Sequence, residues 1–185
     1  METFQTSSNM KYISILRGIN VSGQKKIAMK DLQLLYEELK FKNVRTYIQS
    51  GNVVFECDET NDKKLSEKIS KKILSKYKFH VPVILRTKEE MENALKRNPF
   101  LKNKNADAER FYITFLAEQP SKENISKLKM FHYPPDEYVL DGKEIFLHVP
   151  ISYGNSKLNN NFFESKLQVV ATTRNWNTCN ALVKL

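Results

Sequence analysis

Two groups of polar residues in this chain have the side-chain types needed to hold an anion. The first comprises Arg17, Gly18, Asn20, Lys25 and Lys26 in one segment and Gln49, Ser50 and Asn52 in another. Guanidinium and ammonium groups supply charge, amides supply directed hydrogen bonds, and glycines let backbone N–H groups approach a ligand closely. The second comprises Ser156 and Lys157 with Thr172, Thr173, Arg174 and Asn175, just ahead of Trp176. Threonine, asparagine and arginine beside a helix N-terminus are donors suited to a phosphate or carboxylate. The same residues also admit plain structural roles. Ser50-Gly51 makes a good turn whatever it binds, and Gln49 or Asn52 can satisfy turn backbone groups. Thr173 and Asn175 can cap the last helix, and Trp176 can anchor a core.

Other chemistries fail on spacing. Gly18 to Lys25 approaches the phosphate-loop pattern, but Gln24 stands where the lysine belongs and no Ser or Thr follows. His80, His132 and His148 lie far apart with no cysteine or carboxylate at ligand spacing, so no zinc site is expected. There is no GxSxG elbow. Cys57 and Cys179, the two thiols, form no CxxC pair, and neither is expected to be a nucleophile. No cofactor is implied.

The elements that must position these residues alternate in period. Residues 12–16 form an apolar strand, and Leu32, Leu35, Tyr36 and Leu39 mark one face of a helix. Residues 44–49 and 52–56 are strands joined at Ser50-Gly51 as a tight hairpin. Leu65, Ile69, Ile73 and Tyr77 stripe a lysine-rich helix, residues 81–86 form a strand, and Thr87 with Glu90 opens a short helix that ends near Asn98-Pro99. The second half repeats this order. Strands are expected at 110–117, 137–140, 144–149 and 168–172, and helices around Ile125, Leu128 and Phe131, over 158–167 and over 176–185. The two hairpins align on a tyrosine, a glycine turn and a phenylalanine: Tyr47, Gly51 and Phe55 beside Tyr138, Gly142 and Phe146. The expected fold class is α+β: two tandem ferredoxin-like βαββαβ units with antiparallel sheets and trailing helices. Residues 1–9 are expected to be a disordered extension, 10–98 the first unit, 99–109 a linker and 110–185 the second unit.

In a βαββαβ unit the end of the first strand lies at the same sheet edge as the turn between strands two and three. That gathers Arg17, Gly18, Asn20, Lys25 and Lys26 with Gln49, Ser50 and Asn52. The other edge receives the ends of strands three and four, which in the second half sets Ser156 and Lys157 near Thr172 to Asn175.

Lys+Arg 30 against Asp+Glu 21 gives a net charge of +9, and 41% of residues are hydrophobic. A basic surplus suits anionic partners, and it also serves plain solubility. Much of it lies on the helix carrying Lys63, Lys64, Lys68, Lys71, Lys72, Lys76 and Lys78, a face that could track a phosphate backbone or simply be solvated. The strands lack the aromatic platform of RNA-recognition domains. No apolar run reaches the roughly 18 residues of a membrane span, and the unpaired thiols suit a reducing compartment, so a cytoplasmic protein without a membrane partner is expected.

The segments Ile15-Leu-Arg-Gly-Ile-Asn-Val, Thr46-Tyr-Ile-Gln-Ser-Gly-Asn-Val-Val-Phe, Ser156-Lys-Leu and Thr173-Arg-Asn-Trp-Asn-Thr closely resemble those of a bacterial family catalogued as domain of unknown function 1697. The resemblance spans residues 10–185. It implies a cytoplasmic α+β protein of two ferredoxin-like halves, with no established reaction, cofactor or substrate. The family's motif positions fall on Arg17, Gly18, Asn20, Gln49, Ser50, Gly51, Asn52, Ser156, Lys157, Arg174, Asn175 and Trp176. Two positions depart from it. Ser22-Gly23-Gln24 replaces a common Gly-Gly-Lys, leaving Lys25 or Lys26 to substitute, and Asn177-Thr178-Cys179 replaces Asn-Thr-Val.

Three functions fit these observations. The leading one is a binding module for an anionic small molecule or nucleotide-like ligand, with charge from Arg17, Lys157 and Arg174 and hydrogen bonds from Asn20, Gln49, Asn52 and Asn175. The alternative is non-specific nucleic-acid binding through the lysine helix. The third is an enzyme acting on a phosphorylated or acyl substrate, for which neither cluster holds a general base.

Overall fold

A computed structural model describes residues 9–103 and 106–185. The expected extension at 1–9 lies outside them apart from Asn9, as do Lys104 and Asn105 of the expected linker. The chain divides into two compact units, Met1–Glu89 with Leu185, and Glu90–Lys184.

The first unit runs β1 (Met10–Leu16), α1 (Met29–Glu38), β2 (Lys42–Tyr47), β3 (Asn52–Cys57), α2 (Asp62–Tyr77) and β4 (Val83–Thr87). Its antiparallel sheet has the order β2-β3-β1-β4. Tyr12, Leu16, Val53, Phe55 and Leu85 face α1 and α2, whose apolar stripes are Leu32, Leu35 and Tyr36, and Leu65, Ile69 and Ile73. Tyr36, Phe41 and Phe55 interlock there, with the Phe41 and Phe55 rings stacked at 4.5 Å. The opposite face, with Ile13, Ile15, Val54, Ile84 and Arg86, is buried as well.

The second unit begins with α3 (Lys88–Arg97) and 3-10 turns at Pro99–Lys102 and Ala108–Arg110. It continues through β5 (Phe111–Leu116), α4 (Lys122–Leu128), β6 (Glu137–Asp141), β7 (Glu144–His148), α5 (Asn160–Leu167), β8 (Ala171–Asn175) and α6 (Trp176–Lys184). Its sheet order, β6-β7-β5-β8, repeats the first. Both units are ferredoxin-like. One face of the second sheet packs on α4 and α5 around Leu128, Phe163 and Leu167. On the other, α6 lies against β5 and β8, and Arg97 of α3 binds the carboxylates of Asp141 and Glu144.

The repeat is sharpest in the first strands. Tyr12-Ile-Ser-Ile-Leu16 and Tyr112-Ile-Thr-Phe-Leu116 hold equivalent registers: Ile13 pairs Val54 and Arg86, and Ile113 pairs Phe146 and Arg174. The hairpin alignment slips by one residue. Phe55 pairs Tyr12 on the helix-covered face, whereas Phe146 pairs Ile113 on the opposite one. The cause is loop length. Tyr47 pairs Asn52, so the first loop is residues 48–51 rather than a two-residue Ser50-Gly51 turn, while Asp141 pairs Glu144 across Gly142 and Lys143 alone. In a sheet of period two, such an offset moves a side chain to the other face.

The last strand is also later than expected. Gln168 takes the left-handed conformation (φ 57°) that ends α5, so β8 starts at Ala171 and carries Thr173, Arg174 and Asn175 within it. Gly51 (φ 78°) closes the first loop, and a Cβ there would sit 2.6 Å from Ile19 Cδ1 and 2.9 Å from Leu16 Cβ. Gly18 (φ 73°) has nothing within 4 Å of the same position. Gly51→Ala should therefore lose about 3 kcal/mol in urea unfolding, from left-handed strain plus overpacking, and Gly18→Ala about 1 kcal/mol from strain alone. Equal losses would mean that packing at Gly51 contributes nothing.

Candidate functional site

Three loops meet at the end of the first sheet where β1 finishes. The Leu16 N–H donates to the Gly51 carbonyl and the Arg17 N–H to the Pro82 carbonyl, both at 2.9 Å. Between β1 and α1 the chain folds a miniature hairpin. The Asn20 N–H donates to Lys25 O, the Gln24 N–H donates to Val21 O, and Ser22 and Gly23 both have positive φ (49° and 74°), as a type I′ turn requires. Asn20 fastens this hairpin to its surroundings. Its Nδ2 donates to Ile27 O (2.9 Å) and Gln49 O (2.8 Å), and its Oδ1 accepts from the Ile27 N–H (2.9 Å).

Asn52, fully buried, donates to Tyr47 O and Ser50 Oγ and shapes the second loop from beneath. The Lys25 ammonium reaches His80 O at 2.8 Å, bringing the segment before β4 to the same edge. Lys25, Lys26 and Gln49 are exposed, and Arg17 and Ser50 are half-buried. The structure thus gathers the whole first cluster and adds His80. That histidine was legible in principle, because an antiparallel fourth strand must begin where the first one ends.

In the second cluster most of the side chains bond within the protein. Ser156 Oγ donates to Asp136 Oδ2 (2.6 Å) and accepts from the Leu158 N–H, tying the segment after β7 to the residue before β6. Lys157 stacks its ammonium over the Tyr133 ring. In β8 the Thr173 hydroxyl is shared with Thr114 (2.6 Å) and Asn160 (2.7 Å), the latter three residues after Lys157. Arg174 is 8% exposed and donates to Thr172 Oγ1 (3.0 Å) and Thr173 O (2.8 Å). Asn175 Oδ1 accepts from the Thr178 N–H and so caps α6, and Trp176 meets the Phe111 ring edge to face. These contacts give Ser156, Thr173, Arg174, Asn175 and Trp176 internal partners. Arg86, at the register of Arg174, likewise donates to its preceding carbonyl, Leu85 O, and is 1% exposed.

A sequence profile for a protein family described as of unknown function, DUF1697, matches residues 10–146. The chain belongs to that family. The span matched to DUF1697 contains the whole first cluster and stops short of Ser156. Among solved structures, the conserved bacterial protein SP0830 of Streptococcus pneumoniae is similar, with a TM-score of 0.76 at 22% identity over 96% of this chain and 98% of that one. At that identity the likeness concerns the fold. No curated protein matches this DUF1697 chain. Among the described residues no helix is long and apolar enough to cross a membrane, and no group of three or more His, Cys, Asp or Glu could hold a metal.

Both cysteines are buried, and burial pushes the Cys179 thiol up to about 12 against the opposing charge of Arg174. At pH 8 about one Cys179 in ten thousand is then a thiolate, so native protein should resist alkylation there and react only on unfolding. Fast modification of the native chain would contradict this burial. Arg174→Ala should lower stability by about 2 kcal/mol in denaturant unfolding, because it strips hydrogen bonds and packing from a buried strand. An unchanged midpoint would show that those contacts are dispensable.

Proposed function

We propose that this protein is a binding module for an anionic small molecule or nucleotide-like ligand, and that the ligand's phosphate-bearing end binds the loop edge of the first unit. Arg17, Lys25 and Lys26 supply charge, and Gln49 supplies an exposed amide.

The observation that carries this reading is the backbone. Eight non-glycine residues among those described have positive φ. Five have a structural reason: Lys40, Lys78 and Gln168 follow helices, Asn43 lies in a bulge of β2, and Ser22 sits in the type I′ turn. The other three, Asn20, Lys25 and Ile48, all lie on the loops of this edge. Ile48 is β-branched, 48% exposed and at φ 49°, a combination that sterics oppose. Strain of about 1–3 kcal/mol per residue, held by rigid surroundings, gathers where a loop must keep a shape for a ligand. Asn20 and Asn52 provide that rigidity.

The lysines of α2 favour no second reading. Lys72 is bonded to Glu38 at 2.9 Å, Lys64 and Lys71 sit beside Glu59 and Glu67, and Lys68 and Lys76 lie over aromatic rings. A nucleic-acid backbone would have to compete with these partners.

Inorganic pyrophosphate and AMP serve as probes in calorimetry and thermal unfolding. Pyrophosphate should bind once per chain, and at a hundredfold excess over its Kd should stabilise the protein by about 2.7 kcal/mol. Lys26→Glu should weaken binding at least about tenfold without moving the melting temperature of the free protein, and Lys157→Glu should leave binding unchanged. Absence of heat with both probes would overturn the reading. So would binding that is lost in Lys157→Glu and kept in Lys26→Glu.

A further inference from the structure

We propose that the open edge of β6, in the second unit, is a docking site for an extended peptide of a partner protein, added as a fifth strand and carrying Lys or Arg two residues to either side of an apolar one. This site is independent of the anion site.

The two units solve the same edge problem differently. In each sheet the second strand is an outer one, with a row of backbone groups facing away from its single neighbour. β2 is blunted. Its register with β3 shifts between Lys42 and Arg45, Asn43 there has φ 51°, and Lys42 and Arg45 are exposed. Bulges and edge lysines are the devices that stop a foreign strand from pairing. β6 has neither. All five of its residues pair β7 in unbroken register, and none is basic.

The register also tells which groups face outward. A two-residue loop makes its flanking pair, Asp141 and Glu144, a mutually hydrogen-bonded one, so Glu137, Val139 and Asp141 bond to β7. The N–H and C=O groups of the intervening Tyr138 and Leu140 therefore turn away from β7. They open onto a trough of about 830 Å³ whose walls include Phe100, Ile125, Leu128 and Tyr133, with Lys129 and His132. Backbone groups beside apolar pockets are what strand addition uses, the first for affinity and the second for specificity.

Charge selects the occupant. The face of β6 shared with β7's Phe146 reads Glu137, Val139, Asp141. Glu137, 4.0 Å from His148, keeps 64% side-chain exposure, Asp141 keeps 50% although it is bonded to Arg97, and Val139 is 40% exposed. A second copy paired antiparallel in the register that centres β6 on Val139 would set Glu137 against Asp141 twice, and like charges directly opposed destabilise a strand pair. A segment with basic residues flanking an apolar one complements this face, and its alternate side chains, if apolar, fill the trough.

The test uses the full chain and an end-blocked, fluorescein-labelled peptide, Lys-Leu-Val-Leu-Lys, read by anisotropy. Saturable binding is expected, with the Glu-flanked counterpart at least about tenfold weaker. Two further peptides carry backbone N-methyl groups at odd or at even positions. One should lose binding at least tenfold and the other keep it, an alternation that only ladder pairing produces. Val139→Lys, which copies the protection seen on β2, should weaken binding to a similar degree without lowering the melting temperature. Equal binding of both N-methyl series would reduce the trough to an apolar adhesive surface and overturn the proposal. Dimers in sedimentation velocity that Val139→Lys dissolves would overturn it in favour of a second copy.

Discussion

Each unit hangs from its first strand. β1 and β5 are central in their sheets and largely buried on both faces, and Tyr12 to Ile15 and Tyr112 to Phe115 are paired on both sides. Such a strand tolerates one register only. It also has to satisfy the hydroxyl at its midpoint. Ser14 does so with the Tyr36 hydroxyl of α1 at 2.6 Å, and Thr114 with Thr173 of β8, which is bonded in turn to Asn160 of α5. A buried hydroxyl without a partner would cost more than a hydrogen bond normally contributes, so each pair fixes where a helix or outer strand must lie. Burial pushes the Tyr36 hydroxyl well above its ordinary range, which keeps it protonated and able to bond.

With the centre held constant, the periphery was free to diverge. In the first unit the four-residue loop 48–51, clamped by Gly51 against Leu16 and Ile19, builds the strained edge where cations and amides converge. In the second, a two-residue loop leaves β6 regular to its end, and the edge remains straight and open. The two extra loop residues shape the first edge, while the open strand edge of the second reflects the absence of the bulge that β2 carries between Lys42 and Arg45.

The order of strands and helices was legible because apolar periodicity is local: Leu65, Ile69 and Ile73 announce a helix without reference to anything distant. The first cluster was legible too, since strand direction alone brings Arg17 beside Ser50. Boundaries set by a single left-handed residue were not. Nothing near Gln168 signals that it ends α5, and without that the strand holding Arg174 reads as a polar turn. The hairpin alignment failed for a related reason, as Gly51 and Gly142 look equivalent in sequence yet occupy the last and first places of loops of different length. The stronger repeat, Tyr12 to Leu16 against Tyr112 to Leu116, carries no punctuation and is easily overlooked.

The run from Thr172 to Thr178 shows that residue types suited to an anion also serve the fold. The Thr173 hydroxyl bonds to Thr114 and Asn160, and Asn175 Oδ1 accepts from the first turn of α6, while Asn175 and Asn177 stay exposed. Arg86 makes the same point from the opposite direction. It sits in an apolar strand and attracts no notice, but it holds the register of Arg174 and folds back on its own strand in the same way. A guanidinium at one place in both units belongs to the shared architecture. Charge that belongs to only one unit, as Arg17, Lys25 and Lys26 do, is where a function particular to that unit should be sought.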